Sequence, residues 1–207
     1  MQHIVGVDEY LSGRMSRLRG WASRGTLRRQ RDQLVNLYIV RHGKAEDAAA
    51  YARDEDRPLA PKGFEQARYL GSEVGLQASP PELILSSGFS RAIATARVIH
   101  QSVRCRFELA PELECGHAAS EVLDLIERHT AVPGANARLI ESLMVVGHNP
   151  QLGELCTILT HGVAGSEMML RTGEAVCLSI TPGDLVGTGR IRYKLRLAES
   201  GCTEPAR

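Results

Sequence analysis

Two histidines and two arginines sit where short apolar runs end. Leu37-Tyr38-Ile39-Val40 runs directly into Arg41-His42-Gly43, and Leu143-Met144-Val145-Val146 runs into Gly147-His148-Asn149-Pro150. A third run, Leu83-Ile84-Leu85-Ser86-Ser87, is followed by Arg91 at the start of the helical pattern Arg91-Ala92-Ile93-Ala94-Thr95-Ala96-Arg97-Val98-Ile99. Short apolar, partly β-branched runs bounded by polar residues read as buried strands. Open α/β sheets bind their ligands beyond the carboxyl ends of such strands. Three strand ends would therefore deliver two imidazoles and two guanidinium groups to one edge of a sheet. That set suits an anion whose phosphorus a ring nitrogen can attack. A phosphoryl group accepts hydrogen bonds and carries up to two negative charges. A guanidinium is planar, permanently charged and able to donate two parallel bonds to it. Arg41 and Arg91 are read as the floor of such a site, with Arg57 as a third cation and Asp54, three residues before it, as a group that orients it. Gly43 is read as the residue that permits a sharp turn without a Cβ.

These residues resemble the histidine phosphatase superfamily, in the branch that includes the phosphoglycerate mutases, and within it the small SixA-type phosphohistidine phosphatases. The resemblance is carried by Arg41-His42-Gly43, Arg57-Pro58-Leu59 with Gly63, Ser86-Ser87 with Arg91-Ala92 and Thr95, Pro111-Glu112-Leu113, and Gly147-His148-Asn149-Pro150. It spans about Asn36 to about Leu197. It implies that His42 is the nucleophile, that Arg41, Arg91 and His148 contact the phosphate, and that a phospho-His42 intermediate is hydrolysed by water. Many relatives use a glutamate after the second strand–helix unit as general acid. Glu112 and Glu114 are the candidates here. Asn149 stands where the acid-phosphatase branch has an aspartate after its second histidine. A phosphohistidine substrate needs less acid assistance, because its leaving imidazole takes a proton from water. The path from Arg91 to His148 is short and leaves little length for a lid, which favours a protein-borne substrate. The expected activity is metal-independent removal of phosphate from phosphohistidine on a phosphotransfer or phosphorelay protein, without a cofactor. The alternatives are a small-molecule phosphomonoesterase and a non-catalytic phospho-binding protein.

The elements that must position these groups follow from pattern. Residues 44–60 read as a loop, with Arg57 extended because it precedes Pro58. Pro61 to about Val74 reads as a helix with Phe64, Ala67, Leu70 and Val74 on its apolar face. Pro80-Pro81 precedes the second strand, and a helix follows from Arg91 to about Val103. Cys105 to Leu109 reads as a short strand. Ser120 to Arg128 reads as a helix capped by Ser120, Pro133-Gly134 opens a loop that Asn136 closes, and Gln151 to Leu159 reads as a helix. Two late strands are expected over Ala175–Ile180 and Ile191–Leu197, joined by the turn residues Thr181-Pro182-Gly183-Asp184. The second alternates in polarity, as an edge strand does. The fold class is α/β with a mainly parallel sheet and an antiparallel edge. The resemblance adds helices on both faces of that sheet.

The 207 residues are 43% hydrophobic and 24% charged, an ordinary composition for one globular domain. No apolar stretch approaches the roughly 20 residues of a membrane span, and Asp8 and Glu9 argue against a secretory signal. Five cysteines, Cys105, Cys115, Cys156, Cys177 and Cys202, include no C-x-x-C pair. That argues against a disulfide framework or a zinc site and fits a reducing cytoplasm. Formal charge is +1 but uneven: residues 1–35 hold seven arginines and three acids. They are read as a basic arm, with Met15 an alternative start. Residues 36–200 are read as one phosphatase domain and 201–207 as a tail. The arm does not by itself make a nucleic-acid partner the expectation.

Overall fold

The computed structural model describes residues 34–130, 140–165 and 168–198. The basic arm up to residue 33, the turn at Pro133-Gly134 with Asn136, and the tail 201–207 lie outside the described residues.

A six-stranded sheet carries the molecule. Its strands are β1 (Val35–Arg41), β2 (Leu83–Ser86), β3 (Arg106–Leu109), β4 (Ser142–Gly147), β5 (Glu174–Ile180) and β6 (Arg190–Arg196). Their order is β3-β2-β4-β1-β5-β6. The pairs β3–β2, β2–β4 and β4–β1 are parallel, whereas β5 runs antiparallel to both β1 and β6. The helices are α1 (Pro61–Gly75), α2 (Ser90–Val103), α3 (Ala119–Thr130) and α4 (Gln151–His161).

The two-residue repeat of each strand sends alternate side chains to opposite faces. Leu37, Ile39, Leu83, Leu85, Leu143 and Val145 meet Val122 and Ile126 of α3 and Leu152, Leu155 and Leu159 of α4. Tyr38, Val40, Ile84, Met144 and Val146 meet Leu70 and Val74 of α1 and Ala92, Ala96 and Ile99 of α2. Both faces are covered, which is why these strands read as unbroken apolar runs. The edge strand β6 has one covered side, where Tyr193 and Leu195 pack on the core, and its alternation follows.

Local details depart from the sequence reading at Ser120 and Phe64, and Gly43 is a place where a Cβ would be in the way. Ser120 lies inside α3, which begins at Ala119, rather than capping it, and Glu121 in the first turn accepts the Ala118 N–H at 3.0 Å. Phe64 is half-buried, with the Arg68 guanidinium 6.0 Å from its ring centre, and Gly63 takes the buried position on α1. Gly43 has no positive φ. Its role is close approach: a Cβ there would come within 2.6 Å of the Gly63 carbonyl oxygen, and one on Gly63 within 2.1 Å of the Lys44 carbonyl oxygen. The β1 exit and the start of α1 thus touch backbone to backbone. Gly63→Ala is expected to destabilise the fold by about 1–3 kcal/mol, the usual range for overpacking, as read by denaturant unfolding.

Candidate active site

Strand register places the groups. Arg41 lies opposite Gly147, so the next residues, His42 and His148, emerge side by side. Ser86 lies opposite Val146, and Ser87 follows at the same level, its N–H bonded to the Val146 carbonyl at 2.9 Å. The His42 N–H donates to the Gly147 carbonyl at 3.2 Å, and the carbonyls of Arg41 and His42 both accept from the Gly173 N–H, at 3.2 and 3.0 Å. Thr95 of α2 secures the turn: its hydroxyl accepts the Gly43 N–H at 3.0 Å and donates to the Arg91 carbonyl at 2.7 Å.

His42 is 6% exposed. Its Nδ1 lies 2.7 Å from the Gly43 carbonyl. A carbonyl only accepts, so Nδ1 carries the proton and Nε2 keeps its lone pair. That lone pair accepts Arg91 Nε–H at 3.2 Å. His148 is arranged in the opposite sense. Its Nδ1 faces Arg91 Nη2 at 3.4 Å and its Nε2 lies 2.9 Å from Ser87 Oγ. Because an arginine only donates, the His148 proton belongs on Nε2. The ring centres of the two histidines are 4.9 Å apart. Phe89 backs both groups, 5.0 Å from the His148 ring and 5.0 Å from the Arg91 guanidinium carbon.

Arg91 is 3% exposed and Arg57 partly buried. Asp54 bridges them, with Oδ2 2.7 Å from Arg91 Nη2 and Oδ1 3.2 Å from Arg57 Nη2. Arg41 donates from Nη1 to the Leu170 carbonyl at 2.8 Å. Arg41 Nε and Arg57 Nε are buried without an acceptor among the described residues, so each has a donor left for an anion. Arg41, His42, Arg57, Arg91 and His148 line a cleft of about 360 Å³ that opens to solvent, together with Lys44, Cys115, Asn149 and Thr172. The histidine pair, one lone pair aimed inward and three guanidinium groups form a cationic cup fit for a phosphoryl group.

The model of the histidine phosphatase superfamily (branch 1) matches residues 37–138. An uncharacterized protein of Picosynechococcus is 32% identical over 143 residues, 66% of this chain and 80% of that one. This chain belongs to the histidine phosphatase superfamily. An uncharacterized protein of Mycobacterium tuberculosis is 30% identical over 128 residues, 62% of this chain and 73% of that one. Among solved structures, that of the protein histidine phosphatase SixA complexed with tungstate superposes with a TM-score of 0.66 at 25% identity, covering 78% of this chain and 97% of that one.

In this histidine phosphatase superfamily member the structure brings His42, Arg41, Arg91, His148 and Arg57 to one cleft. Lys44 also lines it. Glu112 and Glu114 do not. Leu113 is buried at the end of the Pro111–Leu113 turn, and Glu112 at its centre pairs with Arg128 of α3. Glu114 lies against Gly88, where an added Cβ would come within 2.5 Å of its carboxylate. Cys115 is the residue this segment contributes to the cleft wall. The sequence reading left Phe89, Ser87, Asn149 and the Leu170 carbonyl without roles. Asn149 donates from Nδ2 to that same carbonyl at 2.7 Å, so Leu170 fixes both Arg41 and the segment after His148.

Burial is the largest influence on both histidines, and the surrounding guanidinium groups add to it; His42 is lowered from 6.5 to about 4 despite its bond to Gly43, and His148 to about 3. Both rings are neutral at pH 7. In the unfolded chain they take up protons below about pH 6.5. Protons then favour the unfolded state. The thermal midpoint is therefore expected to fall as pH drops from 6.5 towards 4, and His148→Gln to flatten that fall. Turnover should show no acid limb from His42 until pH nears 4, as read from a pH profile of kcat/KM.

Proposed function

We propose that this chain is a metal-independent phosphohistidine phosphatase acting on a phosphotransfer or phosphorelay protein. The observation that carries this reading is the His42 Nε2 lone pair, fixed by the Nδ1 bond to Gly43 and facing into a cup of Arg41, Arg57, Arg91 and His148. Phosphoryl transfer rests mainly on positioning and charge stabilisation, which such a cup supplies. His42 Nε2 forms a bond to phosphorus as the bond between phosphorus and the substrate imidazole breaks. The leaving nitrogen takes its proton from water. A second water then attacks phospho-His42, releasing inorganic phosphate and restoring the imidazole. Residues 36–200 form the catalytic domain, and residues 1–35 stand outside the chemistry.

Two features favour an N–P over an O–P substrate. Among the described residues, no carboxylate lines the cleft, and an alkoxide leaving group needs a proton donor more than an imidazole does. The cleft also opens to solvent, so a histidine on a protein surface can enter it. The solved SixA structure, described as a protein histidine phosphatase, supports the same substrate class. No helix among the described residues is long and apolar enough to cross a membrane. Among them no cluster of three or more His, Cys, Asp or Glu side chains has metal-binding geometry.

The test is to offer the protein a phosphohistidine-bearing phosphotransfer domain and a panel of sugar and nucleotide phosphate esters. Fast phosphate release from the first alone is the expected result. Fast release from an ester identifies a phosphomonoesterase instead. Absence of turnover and of ³²P label on His42 identifies a phospho-binding protein.

A further inference from the structure

Arg91 uses two edges of one guanidinium. The inner edge, Nε and Nη2, faces His42 Nε2 at 3.2 Å and His148 Nδ1 at 3.4 Å. The outer edge, Nη1 and Nη2, is held chiefly by Asp54: Nη1 donates to the Asp54 carbonyl at 2.6 Å and Nη2 to Asp54 Oδ2 at 2.7 Å, with Cys115 Sγ a longer contact of Nη2 at 3.9 Å. The other carboxylate oxygen of Asp54 takes Arg57 Nη2 at 3.2 Å. Asp54 belongs to a single 3-10 turn, Asp54–Asp56, in the long segment between β1 and α1. That segment is closed at its base by the Glu46 N–H to Pro58 carbonyl bond at 3.0 Å and the Ala60 N–H to Lys44 carbonyl bond at 2.9 Å.

We propose that Asp54 is a positioning residue for phosphoryl transfer, holding the outer edge of Arg91 so that its inner fork meets the group on His42, and tying the loop-borne Arg57 to the same fork. The proposal rests on the phosphatase reading above. A guanidinium offers a rigid planar fork, so fixing one edge fixes the direction of the other. The bonds from Arg91 to the two rings are long. They are the ones a phosphoryl group arriving between the rings would replace. The shorter bonds to Asp54 persist meanwhile and keep the fork from turning. Arg57 directly follows the 3-10 turn Asp54–Asp56, and Asp54 is the carboxylate it pairs with among the described residues.

Two effects of losing the carboxylate oppose each other. Removing a negative charge beside two cations strengthens the pull on an anion, whereas untying Arg57 and leaving Arg91 only its bond to the residue 54 backbone carbonyl loosens both forks and misplaces the donors. Misplacement by about 1 Å commonly costs about 10²-fold in rate, so orientation should dominate. Asp54→Asn separates the two, since it removes the charge yet keeps one oxygen acceptor.

The experiment measures kcat/KM on a phosphohistidine-bearing protein, and inorganic phosphate binding by calorimetry, for wild type, D54A, D54N, R57A and D54A/R57A. For D54A, kcat/KM should fall about 10²-fold, carried mainly by kcat, and phosphate should bind about tenfold more weakly, or about 1.4 kcal/mol. D54N should lie between D54A and wild type. In the R57A background D54A should cost at least about threefold less, because part of its action passes through Arg57. Wild-type-like kcat/KM in D54A, tighter phosphate binding in both Asp54 variants, or an equal cost with and without Arg57 would each overturn the proposal. Phosphate binding is read without turnover. A wild-type protein that turns nothing over therefore defeats the phosphatase reading, while the binding series still decides the role of Asp54.

Discussion

His42→Ala is expected to reduce turnover by at least about 10⁴-fold, the scale of loss when a covalent nucleophile is removed, while the fold persists. The rate should collapse because no neighbour can take over. Among the described residues His148 is the imidazole beside His42, with the two ring centres 4.9 Å apart. Its Nδ1 lone pair faces the Arg91 guanidinium and its Nε2 lies against Ser87. The effect on stability should be smaller. Truncation leaves the Gly43 carbonyl and Arg91 Nε without their partner, a loss of about 1–3 kcal/mol. It also removes a ring that resists protonation, so the variant should lose less stability than wild type between pH 6.5 and 4. The check combines steady-state kinetics, ³²P labelling of wild type and variant, and thermal unfolding at pH 7 and pH 5. Retained turnover, or a phosphoryl label that persists in the variant, would remove His42 from the nucleophile's role.

Much of the site was legible because the chemistry sits where regular structure ends. The runs before Arg41, Ser86 and His148 are buried on both faces, and a short apolar run closed by polar residues leaves few readings. Once β1, β2 and β4 are parallel neighbours, their carboxyl ends must meet, and the motif residues meet with them. The edge position of β6 was legible for a related reason: a strand covered on one side must alternate. What sequence could not show were the partners chosen across long separations. The Leu170 carbonyl serves Arg41 from 129 residues away. Phe89 backs His148 only because α2 begins where it does. Glu112 stands beside the right segment, yet it pairs with Arg128 of α3, next to Leu113, which is fully buried. Asp54 was visible as a neighbour of Arg57 by its spacing of three. Its stronger tie to Arg91, 37 residues on, depends on how an aperiodic loop folds over the sheet.

Arg91→Lys separates charge from geometry at the centre of the cup. The substitution keeps one positive charge on a long stem, so a purely electrostatic role would survive it. The structure assigns Arg91 more than that. Its guanidinium reaches His42 Nε2, His148 Nδ1, the Asp54 carbonyl and Asp54 Oδ2 at once. An ammonium is a compact point charge and cannot span that set, nor present two parallel donors to a phosphoryl group. The site is also enclosed, with Arg91 3% exposed, so a shorter cation would leave part of the buried surface unfilled. The expected loss in kcat/KM is about 10²–10³-fold, the range for removing a preorganised donor from a developing oxyanion. Inorganic phosphate should bind more weakly in the same variant, since both its fork and the Asp54 tether are lost together. Stability should change by less than in Arg91→Ala, which leaves two histidines and a carboxylate facing a cavity. A lysine variant within about tenfold of wild type in kcat/KM would mean that net charge, rather than the direction of the fork, sets the rate, and Asp54 would then have nothing to orient.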